Sequence, residues 1–428
     1  MANTYLTRTT STAGNGQKFT ISGWFKKSST TGEILNCYGG NTNDTNVFHW
    51  TFESKLKIVL YTGAKIIETN RLFRDFNAWY NIVLAVDTTQ ATDSNRIKLY
   101  INGVQETSFS ATAYPAQNYS YVFGLGTSKI FTIGAQTYNG GSNYNSFYNG
   151  SISHLHYIDG TAYDATAFGE YDANGVWKIK TSPSVTYGTN GFFILKDGNS
   201  VTDQSGEGNN FTVGGGTLTN TLDCPDNIFA TMNPLLGAGS SATYSNGNLT
   251  AVIASSKSNA STLGAGAGKF YFETKINTLG STYLGFCSER NTGADFSSWR
   301  PLTECALVNL SGSVYDGSGN TGIDSLPNIE NNDIIGCALD VDNKKFWWSK
   351  NSQWYSANAS SASTINISDV EAGNSGYSFS SWTGQFVFAS FGTSSTPNNI
   401  SINFGNGYFG TTAVSSAGTN ASGIGIFE

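Results

Sequence analysis

Asp340 and Asp342 occupy alternate positions of one apolar run, the closest approach in this sequence to a pair of catalytic carboxylates. Enzymes that hydrolyse glycosidic bonds use two carboxyl groups that face one cleft. Asp340 and Asp342 have no glutamate partner along their strand, and a tight turn at Asn343 and Lys344 follows them at once. Aspartate side chains accept hydrogen bonds from turn backbone, so turn formation explains this pair better than catalysis does.

The histidines are the second group that could do chemistry. His154 and His156 share one face of a predicted strand, and two such imidazoles can hold a metal ion. No serine nucleophile pattern accompanies them, and an ordinary strand face is the favoured interpretation. The chain also lacks a phosphate-binding loop, because the glycines between Gly264 and Gly268 precede a strand instead of a helix. We therefore expect a protein without enzymatic activity.

Calcium is a ligand to weigh separately, because it takes several oxygen ligands from separate chain segments. Asn43, Asp44, Asp87 and Asp93 place carboxylate or amide oxygens in predicted loops. The sequence cannot assemble these segments into one site. Calcium therefore remains an open alternative, and no cofactor is predicted.

Aromatic residues interleaved with asparagine and serine are the best binding signal in the chain. Sugars stack their C–H faces on aromatic rings, while amide and hydroxyl side chains form hydrogen bonds with the sugar hydroxyl groups. The alternative is that these rings pack under their own loops or against a neighbouring subunit. The candidate binding residues are Tyr138, Asn143, Tyr144 and Tyr148 in the first half, and Trp299, Trp354, Tyr355 and Trp382 in the second half.

The composition favours strands and turns. The chain has 428 residues, of which 49 are glycine, 14% are aromatic and only 12% are charged. The net charge of −7 comes without any basic cluster, which argues against nucleic-acid binding. No apolar run approaches a membrane span, and the segment from Met1 to Arg8 lacks the apolar core of a signal peptide. We expect no membrane insertion, and synthesis in the cytoplasm.

A hairpin pattern occurs once in each half of the chain and indicates the fold. It covers residues 79–103 and again residues 333–351, each as an apolar strand ending in aspartate, a turn and a second strand. Such hairpins form the centre of antiparallel sandwiches. The sequence therefore predicts an all-β protein with two antiparallel β-sandwich (jelly-roll) domains in tandem. We place them at residues 1–213 and 241–428, joined by a docked connector at 214–240.

The five cysteines are an odd number without metal-type spacing. Cys287 and Cys337 lie inside apolar strands, which favours buried free thiols over disulfides. This pattern fits synthesis in a reducing compartment.

The two halves resemble different families. Residues 19–25, 79–103 and 147–157 resemble the opening strand, central hairpin and late strand of a laminin-G-like, concanavalin-A-type jelly roll. Residues 268–275, 283–286, 333–351 and 401–405 match the successive signatures of a SPRY domain. These resemblances imply sandwich folds for both halves and, for the SPRY-like half, loops that bind partners.

This pairing of domains, together with the connector at residues 223–235, resembles structural proteins of tailed bacteriophages. That resemblance implies a virion protein, an attachment or surface-decorating appendage (fibre or decoration) made in the host cytoplasm. Its partners would be other capsid or tail proteins, further copies of itself as a homo-oligomer, and a host surface glycan. A bacterial surface adhesin or lectin is the alternative, and a glycan hydrolase is a third.

Overall fold

The computed structural model describes residues 3–29, 32–39, 48–59, 66–124, 126–196, 198, 200–236, 242–291, 295–418 and 425–428. It divides the chain into two compact units, the first comprising Met1–Asn220 with Cys224–Ile228, and the second Thr221–Asp223 with Phe229–Glu428. Both units are built from antiparallel sheets, so the predicted all-β sandwich fold is confirmed. Residues 237–240 of the predicted connector lie outside the described residues.

The first unit contains the strands β1 to β18. Their bounds are β1 Tyr5–Thr9, β2 Lys18–Lys27, β3 Glu33–Tyr38, β4 Phe48–Phe52, β5 Leu56–Val59, β6 Ile66–Thr69, β7 Tyr80–Asp87, β8 Ile97–Ile101, β9 Val104–Glu106, β10 Phe109–Thr112, β11 Ile130–Ile133, β12 Gln136–Tyr138, β13 Asn143–Asn145, β14 Gly150–Asp159, β15 Gly169–Tyr171, β16 Trp177–Ile179, β17 Phe192–Ile194 and β18 Thr212–Gly215.

Two large sheets form the sandwich of the first unit. One has the order β10-β6-β5-β4-β3-β11-β1-β18 and the other β17-β14-β2-β7-β8-β9. Alternation along β2 sends Phe19, Ile21 and Phe25 into the core between the sheets. Trp24 points to the opposite face and joins a second buried cluster. The six-stranded sheet is therefore apolar on both faces.

The chain between Gly160 and Gly191 covers that second face. Trp177 of the β15–β16 hairpin lies in the same buried cluster as Trp24, and its indole Nε1 donates a hydrogen bond to Asn81 Oδ1 at 3.0 Å. This packing works because Gly103 has no side chain: a Cβ there would lie 2.4 Å from the Trp177 ring.

Among its described residues, the second unit contains the strands β19 to β35 and one short α-helix. Their bounds are β19 Ala242–Ser245, β20 Thr250–Ile253, β21 Lys257–Ala265, β22 Lys269–Thr278, β23 Thr282–Ser288, β24 Cys305–Asn309, β25 Ser313–Asp316, β26 Gly319–Asp324, β27 Ile334–Asp340, β28 Lys345–Lys350, β29 Gln353–Tyr355, β30 Thr364–Ile365, α1 Ile367–Glu371, β31 Tyr377–Ser378, β32 Val387–Thr393, β33 Asn398–Asn403, β34 Tyr408–Phe409 and β35 Thr412–Ala413.

Its sandwich also consists of two sheets. The larger has the order β19-β20-β33-β22-β27-β28-β29-β30, with β31 also paired to β28, and the smaller the order β21-β32-β23-β24-β25-β26. The predicted hairpin is formed by β27 and β28. Asp340 accepts hydrogen bonds from both the backbone N–H and the side-chain amide of Asn343, each at 2.9 Å. Asp340 thus has the predicted turn role.

A buried carboxyl group lies on the outer face of the larger sheet, beneath residues 425–428. Glu273 accepts hydrogen bonds from Tyr271 Oη at 3.1 Å, Asn403 Nδ2 at 3.2 Å and the backbone N–H of Glu428 at 3.1 Å. Burial outweighs these bonds and, with the nearby Glu428 carboxylate, raises the pKa of Glu273 to about 7. Below a pH of about 7 the protonated form is therefore favoured in the folded state.

Substitution of Gly103 tests the cover over the first unit. Gly103→Ala puts a side chain at φ +81° against Trp177, whereas Gly175, at φ +76°, has open space around it in the described part of the chain. Gly175→Ala should cost ~1 kcal/mol of backbone strain. Gly103→Ala should cost a further ~1–3 kcal/mol from overpacking. Denaturant unfolding of both variants measures this difference, and equal losses would contradict the packing of Trp177 on Gly103.

The pH dependence of unfolding tests the buried state of Glu273. Because the pKa of Glu273 is about 7 in the folded state and 4.5 for an ordinary glutamate, its stabilising contribution is present at low pH and is lost as the pH rises through about 7. Glu273→Gln removes this dependence and retains acceptor and donor groups. Between pH ~5 and ~8 the variant should gain about 2 kcal/mol of unfolding free energy relative to the natural chain.

Asp333 supplies a control of opposite sign in the same unit. Burial alone would raise the pKa of Asp333, but hydrogen bonds from Lys350 (Nζ–Oδ2 2.9 Å) and Asn351 lower it. Its stabilising contribution is therefore present at neutral pH and lost as the pH falls. Asp333→Asn should lose stability most at neutral pH. If the unfolding free energies of Glu273→Gln and of the natural chain change in parallel with pH, Glu273 is solvated in the folded state.

Candidate functional site

The β12–β13 hairpin holds most of the sequence-predicted site of the first unit. Its register pairs Gln136 with Asn145, Thr137 with Tyr144, and Tyr138 with Asn143. Residues directly opposite each other in an antiparallel pair point to the same side. One side of the hairpin therefore carries Thr137 and Tyr144, and the other carries the remaining four residues.

The inner side anchors the hairpin to the larger sheet. The backbone N–H of Thr137 donates a hydrogen bond to the buried Asn36 Oδ1 at 3.3 Å, and the Thr137 hydroxyl is hydrogen-bonded to that of Thr132. The Tyr144 ring stacks on Tyr5 with ring centroids 4.0 Å apart and an interplanar angle of 24°. These contacts fix which side of the hairpin faces away from the sheet.

The turn of the hairpin is also held in place. Asn139 and Gly141 have φ values of 52° and 88°, in the left-handed region that these residue types tolerate best. Tyr144 Oη donates a hydrogen bond to the Gly141 carbonyl at 3.1 Å. The Ile130 side chain lies directly beneath Gly141, where a Cβ would be only 2.4 Å away. The turn between Tyr138 and Asn143 is therefore preorganised.

The outer side of the hairpin is the candidate site, and we call it the hairpin face: Gln136, Tyr138, Asn143 and Asn145. Tyr138 is 37% exposed, both asparagines are exposed, and Gln136 is half-buried. One aromatic ring beside three amides can bind a neutral ligand rich in hydroxyl groups. The hairpin face contains no carboxylate or imidazole, so its own side chains offer binding and no acid–base chemistry.

Two polar residues of the larger sheet, the buried Glu33 and the half-buried His49, lie next to the hairpin. His49 Nδ1 lies 3.0 Å from Glu33 Oε1, which also accepts the backbone N–H of Trp50 at 3.1 Å. Burial raises the pKa of Glu33, although these two contacts oppose the shift. The Glu33 N–H donates to the carbonyl of Ser146 at 2.8 Å, next to β13. This Glu33–Ser146 hydrogen bond connects the larger sheet to the end of the hairpin.

Sequence reasoning assigned the hairpin residues only in part. Tyr144 faces the sheet. Tyr148 buries its hydroxyl without a hydrogen-bond partner among the described residues, and burial raises its pKa. Tyr144 therefore packs on Tyr5, and Tyr148 packs against the main core, instead of offering their rings to solvent. Gln136 and Asn145 were missed, and their signal was the alternation on either side of Tyr138 and Asn143.

In the second unit, Trp299 belongs to a packed aromatic cluster on the outer face of the smaller sheet. Its ring centroid lies 4.3 Å from that of Tyr283 and 5.6 Å from that of Tyr315, and the Arg300 guanidinium lies 5.0 Å from the indole. Trp299 is half-buried. These neighbours surround the ring and leave little of it as a stacking platform.

The other predicted rings of this unit are divided between the core and the sheet surface. Trp382, a candidate binding residue from the sequence, is only 8% exposed, because it packs on Phe379 with centroids 5.0 Å apart. Trp354 is half-buried beside Tyr271, at 5.9 Å, and Tyr355 is half-buried in the neighbouring ladder position. The structure does not bring Trp299, Trp354 and Trp382 together as the hairpin does Tyr138 and Asn143.

The two histidines of β14 have structural partners. His156 is buried, its Nδ1 lies 2.9 Å from Tyr187 Oη, and its ring stacks on Phe193 at 4.0 Å. Burial lowers its pKa well below the usual value, so it is neutral. His154 lies at a β-bulge with φ 50°, with Nδ1 2.7 Å from Ser153 Oγ.

Among the described residues considered for the calcium alternative, Asp87 makes hydrogen bonds within its own turn. Burial would raise the pKa of Asp87, but hydrogen bonds from Thr89 and Gln90 lower it and occupy both carboxylate oxygens. Across the described ranges, no group of three or more His, Cys, Asp or Glu residues could hold a metal ion. Asn43 and Asp44 lie outside those ranges.

No helix in the described part of the chain is long and apolar enough to cross a membrane.

Comparison with solved structures gives several similar folds. The SPRY domain of human HERC1 is 14% identical, with 40% of this chain and 96% of that chain covered and a TM-score of 0.30. The heptameric SAP-like pentraxin from Limulus polyphemus is 18% identical, covering 37% and 71%, with a TM-score of 0.29. The Ruminococcus gnavus IT-sialidase CBM40 bound to alpha2,3 sialyllactose is 15% identical, covering 34% and 83%, with a TM-score of 0.26.

A search of curated proteins found no match to the chain. A family model does match its first part: Laminin_G_3, described as the concanavalin A-like lectin/glucanases superfamily, over residues 1–165. This match includes the whole hairpin face and confirms the resemblance of the first half to that jelly roll. Over residues 1–165 the chain is thus similar to the concanavalin A-like lectin/glucanases superfamily.

Proposed function

We propose that this chain is a non-enzymatic glycan-binding appendage of a bacteriophage particle. The observation that carries the binding role is the hairpin face, which presents the exposed ring of Tyr138 beside the amides of Asn143 and Asn145 on an anchored hairpin. A sugar can stack on such a ring while the amides bond to its hydroxyl groups. The ligand class is therefore a neutral stretch of host surface polysaccharide.

Binding is favoured over hydrolysis by the placement of the acidic residues. Hydrolysis of a glycan needs two carboxyl groups across the scissile bond. The hairpin face has none, and Glu33 below it is 2% exposed and bonded to His49 and the backbone of Trp50. Asp340 supports a turn in the other unit. Of the two activities in the superfamily's description, we therefore propose sugar binding, as in lectins, over hydrolysis, as in glucanases.

The particle context rests on the pairing of sandwich types and on composition. Paired laminin-G-like and SPRY-like sequences with the connector at 223–235 resemble structural proteins of tailed phages. Only 12% of the residues are charged, which suits a protein that works outside the cell. We further propose that the chain contacts other capsid or tail proteins as a homo-oligomer. Several copies on one particle would raise avidity for a repeating polysaccharide.

Substitutions on the hairpin face test the binding site. Tyr138→Ala should weaken binding of the full chain to immobilised host surface polysaccharide ~10-fold, because it removes the stacking ring. Asn143→Ala should weaken it by a smaller factor through lost hydrogen bonds. Tyr171→Ala is the matched control, since Tyr171 is 52% exposed in the same unit but lies outside the hairpin face. Unchanged affinity in both hairpin variants, with thermal unfolding intact, would exclude this site.

Particle analysis tests the biological setting independently of the site. Phage particles purified on a density gradient should contain this chain in a fixed ratio to their major structural protein, measured by quantitative mass spectrometry. Absence from the particles, with the chain instead on uninfected bacterial surfaces, would favour an adhesin or lectin. Sugar release from host polysaccharide by the purified chain would overturn the non-enzymatic assignment.

A further inference from the structure

Two buried cysteines of the second unit lie directly opposite each other in a ladder. Cys287 of β23 pairs with Cys305 of β24 in the antiparallel register. Next to them, the N–H of Ser288 donates to the carbonyl of Glu304 at 2.9 Å. A bond between these flanking residues places the two cysteines at a non-hydrogen-bonded position, where opposite Cα atoms approach to about 4.5 Å.

That position suits a covalent link. Disulfides span Cα separations of about 4.4–6.8 Å, and directly opposite side chains point to the same face of a sheet. Cys287 and Cys305 lie in one buried cluster with Ala260 and Phe296, on the face away from the main core. Both thiols are free in this structure.

We propose that Cys287 and Cys305 form a disulfide when the protein meets a low-molecular-weight disulfide such as oxidised glutathione. One cysteine thiolate attacks the reagent, forms a mixed disulfide and releases one reduced thiol. The second cysteine then attacks the protein sulfur of that mixed disulfide and releases the other reduced thiol. Two protein thiols are oxidised and one reagent disulfide is reduced, with the two protons passing to the released thiolates.

The surroundings set the rate of this reaction. The segment 295–301 covers the pair through Phe296, and Cys305 Sγ donates a hydrogen bond to the Pro301 carbonyl at 3.2 Å. Burial also raises the pKa of both thiols, which leaves little thiolate. Oxidation is therefore slow in the folded chain and faster when the segment opens or during refolding. The link would form after the protein leaves a reducing compartment, whatever ligand it binds.

Cys37 and Cys337 provide controls because their ladder partners are not cysteines. Cys337 is opposite Phe272 and Trp348, and Cys37 is opposite Phe131 and Phe48. Neither can form the same short cross-strand link. Cys337→Ala therefore matches Cys287→Ala and Cys305→Ala in burial and chemistry without removing the proposed pair.

Peptide mapping gives the direct test. The full chain is treated with oxidised glutathione both folded and during refolding, alkylated in denaturant, and cut with trypsin and a glutamate-specific protease. The expected product is residues 276–289 joined to 305–330, lost on reduction. It should be absent from Cys287→Ala and Cys305→Ala and retained in Cys337→Ala. Five alkylated cysteines after both treatments, stable glutathione adducts or a link between other cysteines would overturn the proposal.

Thermal unfolding gives a second readout that does not depend on digestion. A link closing the loop from Cys287 to Cys305 should raise the midpoint of the second unit by ~5 °C in the oxidised natural chain. Oxidised Cys287→Ala should show no such rise, and oxidised Cys337→Ala should show it in full. An equal rise in Cys287→Ala would show that the oxidant acts elsewhere.

Discussion

Each sandwich contains a sheet that is apolar on both faces, and the fold depends on covering both of those faces. In the first unit, Trp24 and Phe25 are neighbours on β2 and point to opposite sides, yet both are buried. In the second unit the same is true of Trp347 and Trp348 on β28. Leaving such rings in water would forfeit about 1.5–3 kcal/mol per large side chain. Each sheet therefore needs a second layer beyond its partner sheet.

Short segments supply that layer, and the candidate sites lie on or under them. Residues 160–191 cover one face of the first unit, and the β12–β13 hairpin covers another. In the second unit, Trp347 Nε1 donates to the Asn374 carbonyl at 2.6 Å, and Phe296 covers the Cys287–Cys305 pair. A covering strand alternates like any other, so its inner side chains are fixed and its outer side chains remain available to ligands. The hairpin face arises in this way.

The sequence predicted the sandwiches because alternation and turn chemistry are local. Asp340 at the end of β27 could be assigned to a turn without knowing any distant neighbour. The side to which an aromatic residue points depends on register, which is not local. Tyr138 and Tyr144 look alike in sequence, but the pairing of β12 with β13 sends one outward and the other onto Tyr5. The Cys287–Cys305 pair was hidden for the same reason.

The anchoring of the hairpin bears on how strongly one site could bind. A single ring with three amides makes few contacts with a ligand. If the hairpin were flexible, the conformational entropy lost on binding would offset much of the favourable binding free energy. The Tyr5–Tyr144 stack, the Thr137–Asn36 hydrogen bond and the Glu33–Ser146 contact remove that freedom before a ligand arrives. On the proposed function, repetition over a particle surface would then multiply a modest intrinsic affinity by ~10²–10⁴. Rigidity of the covering hairpin and copy number would therefore determine attachment together, with no need for a deep pocket.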